Sequence, residues 1–138
     1  MPDPTAAAEE RPADCYAPAE LAALVERLGE GKARQPWLVT LALAVLGGAF
    51  IALGALLYTL VLTEGTLGYG PGRWLAGFAF SLGLVMVLVG GAELFTGNSL
   101  MVMAWADRRV TLGQLARNWA LVYLGNLAGA LGTVLLVW

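Results

Sequence analysis

Three long apolar runs, nearly free of charge, constrain the fold of this chain more than any other feature. They cover residues 37–62, 74–106 and 118–138, and Glu93 is the only charged residue within them. A helix needs about 20 residues to cross the hydrocarbon core of a bilayer, so each run is long enough to span it. Strands are excluded because an open sheet edge leaves backbone groups without hydrogen-bond partners in lipid. The sequence therefore predicts an all-α integral membrane protein with three transmembrane helices.

The composition argues against a soluble enzyme. Of the 138 residues, 59% are hydrophobic and 13% are charged, whereas a soluble domain carries about a quarter charged residues. The chain has no histidine, and Cys15 is its one cysteine, so the usual general base and the usual metal ligands are missing. The net charge of −2 gives no reason to expect nucleic acid as a partner. We expect no enzymatic activity, no cofactor and no metal site, and we interpret Cys15 as an inert thiol.

The N-terminal region contains two different segments. Residues 1–17 are polar and acidic, without the apolar core of a signal peptide, which predicts a flexible cytoplasmic tail. Residues 18–34 have apolar side chains at helical spacing, which predicts an amphipathic helix on the membrane surface or against a neighbouring element. A solvated linker helix is the alternative. The apolar positions are Leu21, Leu24, Val25 and Leu28.

The distribution of basic residues predicts the orientation of the three spans. Lys32 and Arg34 precede the first span, and Arg108, Arg109 and Arg117 follow the second. The connection between the first two spans carries a single arginine at position 73. Because basic loops stay in the cytoplasm, the N-terminus is predicted to be cytoplasmic in a multi-pass protein of the inner or plasma membrane.

The second apolar run is too long for one straight transmembrane helix. Its 33 residues would extend roughly 50 Å as a helix, against about 30 Å of hydrocarbon. The stretch "GGAELFTGN" contains three glycines, which weaken a helix, and residues able to cap a new one, Thr96, Asn98 and Ser99. We therefore predict a break near residues 94–98. Non-helical backbone at membrane depth must be buried in protein or line a water-filled cavity.

The residues of this stretch fall into two predicted groups. Glu93 is interpreted as accepting hydrogen bonds from loop amides, which fixes the shape of the loop, and Gly91 and Gly97 allow its path. Direct contact of Glu93 with a substrate is the alternative. Thr96 is the better candidate for contact with an anion, because its neutral hydroxyl can donate a hydrogen bond. A capping role for Thr96 remains an equal alternative.

Small and amide residues elsewhere predict close packing between the spans. Gly125 and Gly129 form a GxxxG pattern in the third span, and Asn118 and Asn126 lie on the same span. Such glycines favour close helix contacts, and such amides hydrogen-bond between helices. We therefore expect a compact bundle or an oligomer.

Two blocks of the sequence resemble the formate/nitrite transporter family. The blocks are "FSLGLVMVLVGGAELFTGN" and "TLGQLARNWALVYLGNLAGA", and the resemblance extends over about residues 16–138. It implies an aquaporin-like inverted-repeat fold, of which this chain supplies the first half, and a homopentamer in which each protomer has its own pore. It also implies small monovalent anions as substrates, with formate first and nitrite or hydrosulfide next, moving with protonation or proton coupling.

The resemblance assigns roles to individual residues. Phe80 and Leu94 correspond to apolar constriction residues, and Thr96 corresponds to the polar loop residue at the central binding site. Phe95 and Asn98 belong to the same loop and complete the predicted substrate pathway.

The family pattern has six spans in two inverted halves, and a histidine and a basic residue in regions that this chain does not contain. We expect the chain to be a truncated half of an anion channel without selective flux of its own. A half-size subunit that needs a partner chain, or a scaffold without transport, is the alternative.

Overall fold

The computed structural model of the chain describes residues 16–63 and 66–138. In this part of the chain the regular structure is helical, without a strand. Its helices are α1 (Pro18–Arg34), α2 (Trp37–Thr63), α3 (Tyr69–Val89), α4 (Phe95–Asn98), α5 (Met101–Ala106) and α6 (Leu112–Val137). Three of them, α2, α3 and α6, are long and apolar enough to cross a membrane. The predicted all-helical architecture with three membrane-spanning helices is confirmed for these residues, whereas most of the predicted tail, Cys15 included, lies outside them.

Two of the three long helices begin earlier than their apolar runs, whereas α2 begins at Trp37 as predicted. Helix α3 starts at Tyr69, five residues before the predicted span, and α6 starts at Leu112 rather than Asn118. Thr111 caps α6, since its Oγ1 accepts from the backbone N–H of Gln114 at 3.2 Å, while the Gln114 side chain accepts from the Thr111 N–H at 2.9 Å. Both helices therefore begin in the polar residues before the apolar segment, where hydropathy does not indicate a helix.

Helix α2 lies between α6 and α3 and contacts both through glycines. A Cβ added at Gly129 of α6 would overlap the Val45 carbonyl oxygen of α2. On the other side, a Cβ added at Gly54 of α2 would lie 2.8 Å from the Phe80 carbonyl oxygen of α3. Small residues thus let the backbones approach closely on both sides of α2. Close approach matters in a membrane because van der Waals packing, rather than the hydrophobic effect, holds the helices together there.

Helix α1 packs on α5 through its small residues. Gly29 and Ala33 are buried, and a Cβ added at Gly29 would lie 3.1 Å from the Ala104 Cβ. Leu21 and Leu28, from the apolar face predicted from the sequence, remain 50% and 57% exposed. The contact with the bundle therefore uses a face next to the predicted one, and the leucines stay available to a membrane surface.

An ion-pair group ties α1 to the connection between α5 and α6. The Arg109 guanidinium lies 3.4 Å from a carboxylate oxygen of Glu26 and donates from Nε to Asp107 at 2.6 Å. The hydrogen bond to Asp107 raises the pKa of Arg109 above its ordinary value, although partial desolvation opposes it. Arg109 therefore joins the polar face of α1 to the connection that follows α5, next to the apolar contact of α1 with α5 itself.

Candidate functional site

The second predicted span is interrupted between α3 and α4. Helix α3 ends at Val89, and Gly91 takes a left-handed backbone with φ of 60°. The Ala92 N–H then donates to the Val87 carbonyl at 3.0 Å, which closes the last turn. Residues 90–94 form the break, called the break loop below, a few residues before the predicted position of 94–98. The physical reason is that the glycine pair ends the helix, whereas Phe95–Asn98 already form the turn of α4.

Asn126 of α6 holds the backbone of the break loop. Its Nδ2 donates to the Glu93 carbonyl at 2.9 Å and to the Ala44 carbonyl of α2 at 2.7 Å. Its Oδ1 accepts from the Phe95 N–H at 3.0 Å. Backbone groups without partners at membrane depth cost several kcal/mol. The Asn126 amide satisfies two such groups, the Glu93 carbonyl and the Phe95 N–H, and it ties them to the Ala44 carbonyl inside α2.

Helix α2 supplies the remaining contact of the loop backbone. The Glu93 N–H donates to the Leu43 carbonyl at 3.1 Å. A Cβ added at Gly47 would overlap the Glu93 carbonyl oxygen. Gly47 is therefore the residue that lets the loop lie directly on α2, a role the sequence did not assign to it.

A charged and polar network lies beneath the break loop. Lys32 Nζ donates to Glu93 Oε2 at 2.6 Å and to Asn98 Oδ1 at 2.7 Å. Asn98 Nδ2 donates to Asn118 Oδ1 at 2.8 Å. The Glu93 side chain is 8% exposed and the Lys32 side chain 31%, so a buried acid is paired with a partly exposed ammonium group. Among the described residues, each buried side-chain nitrogen or oxygen has a hydrogen-bond partner.

The structure changes the interpretation of Glu93 and Asn98. Glu93 was expected to accept hydrogen bonds from loop amides, yet its carboxylate accepts from Lys32 of α1. Asn98 was predicted to line the substrate pathway, but it is fully buried, and both of its side-chain polar atoms have partners. This geometry favours an anchoring role for Asn98, because its side chain is buried and both of its polar atoms already bond to protein groups.

Phe95 anchors α4 to α6. Its ring lies edge-on to Trp119 and Tyr123, with centroid distances of 6.0 and 5.8 Å. Trp119 Nε1 also donates to the Asn98 carbonyl at 2.9 Å. Both ends of the short helix α4 are therefore attached to the same face of α6.

The other predicted pathway residues lie at more open positions. Thr96 is exposed, Leu94 is half-buried, and Phe80 on α3 is 39% exposed. Gly97, predicted to shape the loop, is also exposed. Phe80 borders a cavity of about 340 Å³ together with Ala55, Tyr58, Thr59 and Gly77. Glu93 and Asn98 are thus buried inside the bundle, whereas Thr96 between them is exposed.

From the sequence, Lys32 was taken only to indicate the orientation of the three spans, and its contact with Glu93 in the break loop was not predicted. A signal was present, since Lys32 follows Gly29 by three residues and Val25 by seven, which places it on the side of α1 facing the bundle. Asn118 and Asn126 were interpreted as interhelical hydrogen-bonding residues, and the contacts of both agree with that interpretation.

These features define the class of the protein: a multi-pass helical membrane protein whose second span is broken and held by a buried polar network. Residues 19–138 match the family model described as Formate/nitrite transporter. The chain belongs to this family.

The chain is similar to several named members of the family. It is 44% identical over 130 residues to the formate channel FocA of Escherichia coli (strain K12), which covers 94% of this chain and 46% of that protein. It is 37% identical over 118 residues to a probable formate transporter of Methanothermobacter thermautotrophicus, covering 82% of this chain and 43% of the relative. The formate channel FocA of Haemophilus influenzae is 34% identical over 122 residues, with 88% and 43% covered. The chain spans about half the length of the curated relatives it matches, and those relatives are channels or transporters rather than enzymes.

Proposed function

We propose that this chain contributes one half of a transmembrane pathway for small monovalent anions, with formate as the preferred substrate and nitrite or hydrosulfide next. The observation that carries the proposal is the break loop in a membrane-spanning segment. It is anchored from three helices, and an exposed threonine, Thr96, lies two residues after its end. Family membership and the formate channels among the relatives support the choice of substrate.

Thr96 is the proposed contact for the anion. Its neighbours Glu93, Phe95 and Asn98 are held by Lys32 or by α6. The position of the Thr96 hydroxyl is therefore fixed through the backbone, and a fixed neutral donor can bind an anion without repelling it. In this proposal Glu93, Gly91 and Gly97 shape the loop.

Phe80 and Leu94 are the proposed apolar constriction on either side of this hydroxyl. A bare anion is strongly destabilised in a site with few polar groups, whereas the protonated acid is neutral and passes more easily. Such a constriction favours movement of formic acid, or of formate together with a proton, over movement of larger or permanently charged ions.

The proposed assembly follows the family. A second half of similar size would cover the exposed side of the break loop and complete the pathway, and five protomers would form the oligomer. We place the N-terminus, α1 and the α5–α6 connection on the cytoplasmic side of the inner or plasma membrane, because Lys32, Arg34, Arg108 and Arg109 cluster there.

A chimera tests this proposal. The chain is joined to the part of the Escherichia coli formate channel that lies outside the aligned region, and formate uptake is measured in liposomes against the chain alone. We expect formate flux from the chimera and none from the chain alone. Flux from the chain alone would remove the need for a second half, and a folded chimera without flux would contradict the proposed function.

Variants of the chimera test the assigned residues. Thr96→Ala should lower formate flux roughly fivefold to tenfold, as expected for the loss of one hydrogen bond. Leu94→Ala and Phe80→Ala should raise the passage of larger anions by widening the constriction. Thr63→Ala, an exposed hydroxyl at the end of α2, and Leu135→Ala, which is 79% exposed in the native chain, are the matched controls. Unchanged flux in both Thr96→Ala and Leu94→Ala would show that the site is assigned wrongly.

The alternative is a half-size subunit that pairs with a separate chain and does not transport alone. We keep this subunit as the second candidate because the chain aligns with about half of the length of each relative. Co-expression with the same Escherichia coli segment as a separate polypeptide distinguishes the two, because flux from the unlinked pair would favour the subunit.

A further inference from the structure

Arg73 lies in the second turn of α3, at the end of the protein away from α1. Its guanidinium lies 5.2 Å from the centroid of the Tyr69 ring, which is a cation–π distance. Its Nη1 donates to the Tyr58 hydroxyl of α2 at 3.3 Å. Two neutral aromatic residues from two helices therefore hold the guanidinium in place without neutralising its charge.

The helical spacing places Arg73 in line with the proposed constriction. Gly77 and Phe80 follow it by four and seven residues, so the three lie on one face of α3, and Phe80 lies about 10 Å further along the helix axis. A Cβ added at Gly77 would meet no atom within 4 Å. The space between the guanidinium and the Phe80 ring is consequently open on this face.

Tyr58 connects the guanidinium to the cavity beside Phe80. It contacts Arg73 through its hydroxyl and lines the same cavity of about 340 Å³ as Gly77 and Phe80. A second cavity, of about 380 Å³, is lined by Arg73 itself together with Leu67 and Gly68. Arg73 thus borders one cavity directly and is linked through Tyr58 to the cavity beside Phe80.

The chemistry of the guanidinium selects the ligand. A guanidinium carries five N–H donors in a planar fork that matches a carboxylate, and one of them is used by Tyr58. The exposed position of Arg73 allows exchange of a small ion.

We propose that Arg73, supported by Tyr58 and Tyr69, is a docking site for a small monovalent carboxylate at the mouth of the pathway, one step before Phe80. This inference rests on the proposed function and deepens it, since it names the group that collects the anion before it enters the dry segment. A fixed positive charge at a mouth raises the local anion concentration.

The first test measures the local potential without any transport. In a Cys15→Ser background, Gly77→Cys introduces a single thiol beside Phe80. We compare the rates at which this thiol reacts with a negatively charged and with a positively charged methanethiosulfonate. Arg73→Gln should lower the ratio of the anionic to the cationic rate by roughly threefold to tenfold, and 1 M salt should reduce this difference. Gly113→Cys is the matched control, because a Cβ there also meets no atom within 4 Å and α6 begins at the opposite end. Arg73→Gln should not change the ratio at position 113.

The second test measures binding of the ligand itself. Formate should slow the anionic reagent at position 77 when Arg73 is present, and several times more formate should be needed in the Arg73→Gln variant. Arg73→Lys should keep the rate ratio but weaken the protection, because an ammonium lacks the planar fork. A rate ratio that stays within 1.5-fold after Arg73→Gln, or equal protection with and without Arg73, would overturn the inference. The inference and the proposed function can fail separately, since these rates are measured on the chain alone and the flux on the chimera.

Discussion

Lys32 and Glu93 are 61 positions apart in the sequence, yet Lys32 Nζ lies 2.6 Å from Glu93 Oε2. The pair joins the last turn of α1 to the break loop, and Asn98 accepts a second hydrogen bond from the same ammonium group. The break in the second span is therefore held from outside the spanning helices as well as from within them.

Breaking this ion pair should destabilise the fold. Lys32→Met leaves a carboxylate that is 8% exposed without its charge partner, and we expect a loss of roughly 1–3 kcal/mol, below the range for a fully buried pair because Lys32 is partly exposed. Unfolding in mixed micelles measures the change. The double variant Lys32→Met/Glu93→Gln should recover part of the loss, whereas strictly additive effects would contradict the coupling. Arg34→Met, which removes the exposed pair with Glu30, is the control and should cost at most about 0.5 kcal/mol.

Asn126 should be the most sensitive polar position of α6. Asn126→Leu removes the side-chain partners of the Glu93 carbonyl and the Phe95 N–H, and also the additional bond to the Ala44 carbonyl of α2. We expect a loss of about 2–4 kcal/mol, mainly from the two loop groups left unsatisfied. Asn126→Asp keeps the acceptor for Phe95 and loses both donors, so it should also be destabilised. Thermal unfolding followed by circular dichroism tests both variants. Stability within about 0.5 kcal/mol of the native protein would show that water replaces the amide.

Two glycines of the same region should respond in opposite ways to alanine. Gly91 has φ of 60°, and an added Cβ would meet no atom within 4 Å, so Gly91→Ala should cost about 1 kcal/mol through backbone strain alone. Gly97 has the same open surroundings but lies within α4 without a positive φ, so Gly97→Ala should be neutral or slightly stabilising. Equal effects of the two substitutions on unfolding would contradict the backbone conformation of the loop.

The contact between α2 and α6 should depend on Gly129. A Cβ there would overlap the Val45 carbonyl oxygen and lie 2.9 Å from the Ala49 nitrogen, so Gly129→Ala should cost about 1–3 kcal/mol by overpacking. Gly132→Ala, one turn further along, is the control because an added Cβ there meets no atom within 4 Å. Comparison of the two unfolding free energies tests whether the pattern of small residues packs within the chain.

Arg108 occupies a position that favours glycine. Its φ is 58°, and the Arg108 and Arg109 N–H groups donate to the Trp105 and Ala104 carbonyls at 3.0 and 2.9 Å, the pattern of a Schellman motif that ends α5. Arg108→Gly should therefore stabilise the protein by roughly 1 kcal/mol. Arg108→Ala removes the same charge without relieving the strain, so a similar gain from Ala would contradict this explanation.

The sequence by itself determined the membrane-spanning architecture. Runs of apolar residues must be buried in lipid or protein, and lipid admits only helices here, so the three spans followed from α2, α3 and α6 as local segments. The interruption also followed from local chemistry, because Gly90 and Gly91 weaken a helix wherever they occur. The blocks around Phe80–Asn98 and Thr111–Ala130 were sufficient to indicate the family.

Only the tertiary structure decided how the break loop is held. Asn126 contacts residues more than 30 and 80 positions away, and Lys32 reaches Glu93 from α1, a helix that the sequence placed either on the membrane surface or against a neighbouring element. Helical spacing places Lys32 on the side of α1 that faces the bundle, but it does not identify the partners of Lys32 or Asn126. These contacts depend on the close approach that Gly47 and Gly129 allow between helices. The same packing buries Asn98, which was predicted to line the pathway, and leaves Thr96 exposed. The two residues differ because positions two apart on a helix face different sides.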